Sequence, residues 1–205
     1  MADTFKRRTP SQWGEGHALK EEILAAAARM LAEAGREEGL SLRSVAREVG
    51  ISAPSIYLHF EDRSSLVAAV TQREYEGMVD DLRRAWAEAE GEGPREALRA
   101  MAQRYCSFAL ENARRYRLMF AVEWAAVPRG EAPRHPVTLV LRAWQDALAS
   151  CREAGYAQVD DEEDAILLWS SLHGMAALAM ALPFEREADG LTARVDTLVD
   201  RIVTE

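Results

Sequence analysis

The stretch LSLRSVAREVGISAPSIYLHFEDRSSL, residues 40–66, decides the fold that we predict for this chain. In its first part apolar residues recur at three- and four-residue steps, which predicts a short amphipathic helix that Ser41 caps and Gly50 ends. Ser52 can cap a second short helix, and Pro54 fits its first turn because that turn needs no N–H from it. Two short helices joined by a glycine turn form a helix-turn-helix.

The second of these helices, expected over residues 53–59, is too short to be stable without neighbouring helices. Ile56 and Phe60 are its apolar anchors. Its other side is small, hydroxylated and aromatic, which suits the major groove of DNA and the phosphates beside it. The residues on that side are Ala53, Pro54, Ser55, Tyr57 and His59.

The run YLHFEDRSSL, residues 57–66, resembles the DNA-binding signature of TetR-family transcriptional repressors, which ends in Tyr-x-His-Phe followed by a lysine and a leucine. Arg63 stands where the family usually has lysine, and either cation can meet a phosphate. The resemblance implies an all-α fold with an N-terminal three-helix DNA-binding domain and a C-terminal helical domain for ligand binding and dimerisation. The expected DNA-contacting residues are Ser41, Arg43, Ser52, Ala53, Pro54, Ser55, Tyr57, His59 and Arg63.

Two kinds of DNA contact are expected within this set. Arg43 matches a base-contacting arginine in TetR-like proteins, so we expect it to contact a guanine. Ala53 occupies a position where some relatives carry a polar, base-reading side chain, so the operator sequence cannot be read from the chain. The residues expected to meet phosphates are Ser52, Tyr57, His59 and Arg63.

Composition favours a soluble protein of two domains. At 205 residues and 48% hydrophobic, the chain can bury a DNA-binding module and a larger core. No apolar run approaches the ~20 residues of a membrane span, and residues 1–10 lack the apolar core of a signal peptide, so we expect a cytoplasmic protein. The two cysteines lack metal-ligand spacing, which favours free thiols over a disulfide.

The charge distribution argues against indiscriminate binding to nucleic acid. The net charge is −9, but residues 1–63 carry 9 Lys+Arg against 10 Asp+Glu, so most of the acidity lies in the rest of the chain. DNA affinity would then come from local cations. The candidates are Lys6, Arg7, Arg8, Arg43, Arg47 and Arg63.

We divide the chain into three parts. Residues 1–17 are expected to form a flexible arm, whose basic cluster at residues 6–8 could reach a minor groove or could be a solvated tail. Residues 18–66 form the DNA-binding domain, with a strongly amphipathic first helix over residues 18–34 that supports the helix-turn-helix. Residues 67–205 form the helical effector-binding and dimerisation domain.

Two motifs in this last part again resemble the TetR family. The run RRYRLMF, residues 114–120, is similar to a segment that many members have, and LWSSLHG, residues 168–174, resembles the Trp-x-x-x-His-Gly signature of one subclass of TetR-like C-terminal domains. The aromatic residues of the domain could line an apolar effector cavity or could simply pack in its core. The candidate effector residues are Met101, Tyr105, Phe108, Phe120, Trp124, Trp144, Trp169 and His173.

The last two helices, expected over residues 161–182 and after Gly190, are candidates for a homodimer interface. One carries a stripe of small residues that lets another helix approach closely, and the other has a broad apolar face. In TetR-like proteins the last two long helices pair with their mates in a four-helix bundle. The expected interface residues are Ser170, Gly174, Ala177, Ala181, Leu191, Val195, Leu198 and Ile202.

The sequence contains no nucleophile elbow, P-loop, zinc-protease helix or Gly-rich dinucleotide turn, so we expect no enzyme, no cofactor and no metal. The acidic run at residues 160–164 is interpreted as a helix cap. Three functions remain open: a repressor that a small apolar effector releases from a palindromic DNA operator, a dimeric DNA-binding regulator without an effector, and a helical enzyme or interaction module.

Overall fold

The computed structural model describes residues 16–34, 40–121, 136–156, 160, 162–182 and 188–204. These residues are mainly helical and include no strand, which confirms the predicted all-α fold. A 3-10 turn at Glu90–Glu92 separates two of the helices. The helices are α1 (Gly16–Ala34), α2 (Leu42–Val49), α3 (Ala53–Tyr57), α4 (Arg63–Ala89), α5 (Pro94–Glu111), α6 (Ala113–Ala121), α7 (Val137–Glu153), α8 (Glu163–Ala181) and α9 (Ala188–Ile202).

Local signals set most of these boundaries. Pro94 begins α5, where a missing N–H costs nothing. The carboxylate of Asp160 accepts hydrogen bonds from the backbone N–H groups of Glu162 and Glu163 at 2.9 and 3.0 Å, so the acidic run does cap α8. α3 is shorter than predicted, because the N–H of His59 already bonds the carbonyl three residues back, at 3.0 Å.

The chain folds as two compact units, and two of the boundaries between them fall after Glu74 and after Tyr116. The first unit holds α1, α2, α3, the start of α4 and the end of α6. The second holds the rest of α4, the start of α6, and α5, α7, α8 and α9. The first boundary therefore lies inside α4, later in the chain than the predicted domain boundary at residue 66.

The first unit has an apolar core that α1 supplies for the helix-turn-helix. Ile23, Ala27 and Leu31 recur along one face of α1 and are almost fully buried. Ile56 of α3 is also fully buried in this cluster, so even a five-residue helix is held by its neighbours. The other buried members include Leu42, Val45, Ala46, Phe60, Leu66, Val70 and Leu118.

In the second unit α5 packs against α7, α8 and α9. Polar contacts at one side join α5 to α9: Arg99 donates to the Asp200 carboxylate at 2.7 Å, and Gln103 donates to the Asp196 carboxylate at 2.6 Å. Arg95 also donates to Asp200 at 2.7 Å. α9 is thus fixed to α5 by both apolar burial and ion pairs.

Candidate DNA-binding surface and regulatory core

α2 begins at a reciprocal cap. The N–H of Ser44 donates to the hydroxyl of Ser41 at 3.1 Å, and the N–H of Ser41 donates to the hydroxyl of Ser44 at 3.0 Å. These bonds satisfy donors that a helix start leaves unpaired. Arg43 lies in the first turn, is exposed, and forms no ion pair with any other residue that the structure describes. Its guanidinium is available for an external partner.

The turn between α2 and α3 requires a glycine. Gly50 has a φ of 79°, in the left-handed region, and its N–H donates to carbonyls of the last turn of α2. The N–H of Ile51 also donates to the Ala46 carbonyl, at 2.9 Å. These bonds end α2 and fix the angle at which the chain enters α3.

Six of the nine predicted DNA-contacting residues lie in α3 or within two residues of its ends. Ser52 caps α3, accepting a hydrogen bond from the N–H of Ser55 at 3.3 Å, while the two hydroxyl oxygens lie 2.6 Å apart. Pro54 and Tyr57 are exposed, and Ala53, Ser55 and His59 are half-buried. The structure therefore places the polar side of α3 at the surface, opposite the buried Ile56.

The start of α4 is capped by its own chain. The N–H of Ser65 donates to the Asp62 carboxylate at 2.7 Å, and the N–H of Asp62 donates to the Ser65 hydroxyl at 3.2 Å. The Asp62 carboxylate thus satisfies a backbone donor at this helix N-terminus. Arg63, which is predicted to meet a phosphate, is the first residue of α4 and is half-buried.

Two further surface residues were missed by the sequence analysis. Leu58 is 85% exposed, which is unusual for a large apolar side chain, and it lies directly after α3. Lys20 of α1 places its ammonium 5.9 Å from the centroid of the Phe60 ring, beside the end of the helix-turn-helix. The position of Leu58 inside the Tyr-x-His-Phe run could have identified it, whereas the place of Lys20 depends on tertiary packing.

In the second unit four aromatic side chains from three helices form one hydrogen-bond chain. The indole N–H of Trp169 donates to the Tyr105 hydroxyl at 2.9 Å. The hydroxyls of Tyr105 and Tyr116 lie 2.8 Å apart, and the Tyr116 hydroxyl lies 2.6 Å from Nδ1 of His173. The two residues of the Trp-x-x-x-His-Gly motif are thus joined through α5 and α6. Tyr116 was not among the predicted effector residues.

Burial changes the acid–base properties of this region. It lowers the pKa of His173 from its ordinary value, which favours the neutral imidazole. It raises the pKa of Cys106 to about 12 and that of Cys151 to about 11. Both cysteines are buried free thiols, as predicted, and such high pKa values make them poor nucleophiles.

The other predicted effector residues are mostly packed against protein. Trp144 is fully buried and meets Tyr105 edge to face, with ring centroids 5.9 Å apart. Phe108 is buried, with the guanidinium of Arg115 5.8 Å from its ring centroid. Phe120 is half-buried, and Trp124 lies outside the described residues. These contacts agree with core packing, the alternative that the sequence left open.

A pocket of about 120 Å³ lies elsewhere in this unit, and among the predicted effector residues Met101 lines it. Its volume is below the 300–1,000 Å³ or so of drug-sized ligand sites. The residues around it are Arg83, Trp86, Met101, Ala143, Asp146, Ala147 and Ser150.

The predicted dimer face is divided by the structure. On α8, Ser170, Ala177 and Ala181 are exposed and Gly174 is half-exposed, so the stripe is at the surface of the single chain. On α9 the apolar side chains of the predicted face are covered by the chain's own helices, so they do not lie open at the surface of the single chain. Leu191, Val195 and Ile202 are buried, and Leu198 is half-buried.

Large apolar side chains extend the α8 stripe. Ile166, Leu167 and Leu178 are 53%, 54% and 60% exposed. By length and composition alone, α8 with its 19 residues would be able to cross a membrane. An exposed apolar helix face of this kind is also typical of a protein–protein interface.

Two family models match the chain. One, described as bacterial regulatory proteins of the tetR family, covers residues 23–70, and the other, described as a tetracyclin repressor-like C-terminal domain, covers residues 98–204. The first match contains the helix-turn-helix, and the second contains the hydrogen-bond chain and the α8 face.

Similar proteins include regulators of two mycobacterial species. The HTH-type transcriptional activator FasR of Mycolicibacterium smegmatis is 27% identical over 108 residues, which are 53% of this chain but only 48% of FasR. The chain thus matches about half the length of FasR. The uncharacterised HTH-type transcriptional regulator Rv0681 of Mycobacterium tuberculosis is 29% identical over 168 residues, 78% of this chain and 70% of that protein.

Solved structures share the fold. A protein of unknown function from Rhodococcus sp. RHA1 is 28% identical, with a TM-score of 0.71 and coverage of 95% of this chain and 100% of that one. The fatty acid degradation regulator FadR of Bacillus halodurans has the same TM-score at 16% identity, covering 93% and 96%, which shows the fold alone. Together with the two family models, these likenesses establish that the chain belongs to the TetR family of DNA-binding transcriptional regulators.

Proposed function

We propose that this regulator binds a palindromic operator in double-stranded DNA as a cytoplasmic homodimer, represses transcription there, and is released by a small, largely apolar effector. The observation that carries the DNA-binding part is the exposed side of α3, with Arg43 in the capped first turn of α2 before it and Arg63 after it. Caps at Ser41, Ser52 and Asp62 preorganise this surface, so little entropy is lost when DNA binds.

The dimer is supported by the exposed face of α8. Small residues at Ser170, Gly174 and Ala177 allow close approach of a second helix, and large apolar residues flank them. Two copies related by a two-fold axis through this face would form a self-complementary contact. The dimer would then carry two helix-turn-helix units, one for each half-site of a palindrome.

The effector part rests on the half-buried Trp169 and His173, which carry polar atoms at the edge of an aromatic core. A specific observation favours the second candidate, a dimeric regulator without an effector. Tyr105 and Trp144 are fully buried and in contact with each other, so a ligand would have to displace them. The sign of regulation is a separate question, because FasR is named an activator.

The deciding experiment is a fluorescence-anisotropy titration of the purified chain on DNA from upstream of its own reading frame. Scrambled DNA of equal length is the control, and each titration is repeated with a library of lipophilic compounds. Release by one compound, with a change in tryptophan fluorescence, supports the effector-controlled regulator. Operator binding that no compound changes supports the second candidate, and no retention of DNA at modest salt would leave the third function, a helical enzyme or interaction module. In vitro transcription from the same fragment then distinguishes repression from activation.

A further inference from the structure

The hydrogen-bond chain of Trp169, Tyr105, Tyr116 and His173 begins and ends on the same helix. Trp169 and His173 are one turn apart on α8, while Tyr105 belongs to α5 and Tyr116 to α6. The ring of Tyr116 stacks on the imidazole of His173, with centroids 5.5 Å apart and an interplanar angle of 26°. Three helices are thus held together through these four side chains.

The hydrogens of this chain can be placed by counting donors. An indole only donates, so the Tyr105 oxygen is an acceptor for Trp169. Each tyrosine hydroxyl has a single hydrogen, and both residues are buried, with 0% and 2% exposure, so each hydrogen requires an acceptor. The arrangement that gives both an acceptor runs from Tyr105 to the Tyr116 oxygen, and from Tyr116 to Nδ1 of His173.

This direction determines the state of the imidazole. If Nδ1 accepts the hydrogen of Tyr116, His173 carries its proton on Nε2 and is neutral. The opposite direction would give the Tyr105 oxygen two donors, Trp169 and Tyr116. That direction would also leave the Tyr105 hydrogen without an acceptor among these four side chains.

We propose that Tyr116 is a positioning residue that holds His173 in the neutral form with its proton on Nε2, and that protonation of His173 is a regulatory input that weakens operator binding. The step consumes one proton from solvent. It makes Nδ1 a donor, so the Tyr116 hydroxyl must turn away from Nδ1 towards the Tyr105 oxygen. The Tyr105 hydrogen then loses its acceptor, and the joint between the three helices is weakened.

Among the described side chains around this hydrogen-bond chain, His173 is the one whose charge changes near neutral pH. Burial raises the pKa values of Tyr105 and Tyr116 and also that of Tyr75 of α4, so these phenols stay neutral. Cys106, with its pKa raised to about 12, does so as well. On α7 the charged side chains are exposed, and they are Arg142, Asp146, Arg152 and Glu153. On α9, Asp196 and Asp200 bond to α5, and Arg194 and Arg201 are exposed.

α6 contributes residues both to the hydrogen-bond chain and to the DNA-binding unit. Tyr116 belongs to the hydrogen-bond chain of the second unit, and Leu118, two residues later in the same helix, is buried in the apolar core of the first. A change in the position of Tyr116 therefore acts on a helix that also contributes to the core beneath the helix-turn-helix.

The tautomer is tested by ring ¹⁵N NMR of the full chain, with the His173 signals assigned through His173→Asn. We expect an unprotonated Nδ1 and a pKa below that of an ordinary histidine. Tyr116→Phe removes the donor to Nδ1, so the pKa should rise by roughly one unit. Tyr156 is a half-buried tyrosine that does not belong to the hydrogen-bond chain, so Tyr156→Phe should leave the pKa of His173 unchanged. A protonated Nδ1 in the neutral protein, or no rise in Tyr116→Phe, would overturn the assignment.

If Tyr116→Phe fails to fold, as judged by circular dichroism, Tyr105→Phe replaces it. In that variant Tyr116 can still donate to His173, so the pKa should stay low while the indole N–H signal of Trp169 shifts. A His173 pKa that returns to its ordinary value in Tyr105→Phe would contradict the proposed direction of the hydrogen bonds, from Tyr105 to Tyr116 to His173.

The regulatory step is tested by operator titrations from pH 8 to pH 5. Operator affinity should fall as His173 becomes charged in the wild type and in Tyr156→Phe. The fall should be smaller in Tyr116→Phe, because that variant has no Tyr116 hydroxyl to turn when Nδ1 becomes a donor. His59 at the DNA surface is present in all three proteins, so only the difference between them is used. An equal fall in all three proteins would show that protonation of His173 does not act on operator binding through Tyr116.

Discussion

Arg43 and Arg63 carry the same charge in different surroundings, and this difference separates base contact from phosphate contact. Arg43 is exposed in the first turn of α2, where a long side chain can reach base edges. Arg63 is half-buried at the start of α4, next to the carboxylate of Asp62 that caps the helix. A restricted arginine near a helix N-terminus is better placed for a phosphate than for a base.

Alanine substitutions should therefore have different effects on DNA binding. Arg43→Ala should cost roughly 1–3 kcal/mol per half-site on the operator and relax base preference at one position. Arg63→Ala should weaken binding to all sequences alike and reduce the salt dependence by about one charge per half-site. Binding isotherms on operator and scrambled DNA at several salt concentrations measure both effects.

Arg114→Ala is the control for these variants, because the substitution removes the same charge from an exposed position of α6 in the second unit. It should leave the ratio of operator to scrambled affinity unchanged. Equal losses on both DNAs for Arg43→Ala would show that it does not read a base. Specificity would then rest on Pro54, Ser55 and the shape of the DNA.

At the scale of elements, the turn between α2 and α3 depends on the backbone of Gly50. Its φ of 79° is strained for a residue with a Cβ, so Gly50→Ala should lower the free energy of unfolding by about 1 kcal/mol. Gly77→Ala is the matched control, because Gly77 is exposed within α4 and an added Cβ meets no atom there within 4 Å. It should be neutral or stabilise by about 0.5–1 kcal/mol.

Urea unfolding followed by circular dichroism compares the two glycine variants. Gly50→Ala should also weaken operator binding, since the turn sets the angle between the two helices that face DNA. A Gly50→Ala protein as stable as Gly77→Ala would mean that the turn adopts another backbone conformation in solution.

The contact between α5 and α9 should make stability depend on acid pH. A hydrogen bond from Arg99 is the main cause that lowers the pKa of Asp200, with a further bond from Arg95. A carboxylate with a lowered folded pKa stabilises above its unfolded value of about 3.9, and this contribution is lost as pH falls through the folded value. Asp200 is largely exposed, so solvent screening limits the effect to about 0.5 kcal/mol.

Asp200→Asn tests this contribution. Its unfolding free energy should lie below that of the wild type at pH 7, and the two should converge below about pH 3. Asp80→Asn, at an exposed position of α4, is the control and should follow the wild type throughout. A constant gap between Asp200→Asn and the wild type from pH 7 to pH 2.5 would assign the effect to something other than the ionised carboxylate.

What the sequence could predict at this scale was local. Ser41, Gly50 and Pro94 act on backbone groups within a few residues, so short sequence patterns can predict the caps and helix boundaries that they form. Such patterns do not predict which part of the protein packs against an apolar face. The period of Leu191 and Val195 predicted a buried face, but only the tertiary structure shows that the chain itself buries it. The pairing of Tyr116 with residues distant in sequence is invisible for the same reason.

At the scale of the whole molecule, an apolar face of α8 is exposed in the single chain. Ile166, Leu167 and Leu178 are more than half exposed, although the helix lies in a well-packed unit. The α9 side chains are covered internally, so the proposed interface is centred on α8. The small residues around Gly174 would be its point of closest approach.

Gly174→Leu tests this interface. A Cβ added at Gly174 meets no atom within 4 Å in the single chain, so the larger side chain should be accommodated within the fold. Between two closely packed helices it would overpack the contact, and we expect the dimer to dissociate at least tenfold more readily. Operator affinity should fall as the dimer dissociates, because each half-site would then be bound separately.

Gly77→Leu is the control, since it makes the same change at an open helical position away from α8. Sedimentation equilibrium over a range of concentrations gives the dissociation constants, and circular dichroism verifies that both variants fold. If Gly174→Leu and Gly77→Leu show the same dimer mass, the second copy does not sit on the small-residue stripe. The apolar side chains of α8 would then need a different partner.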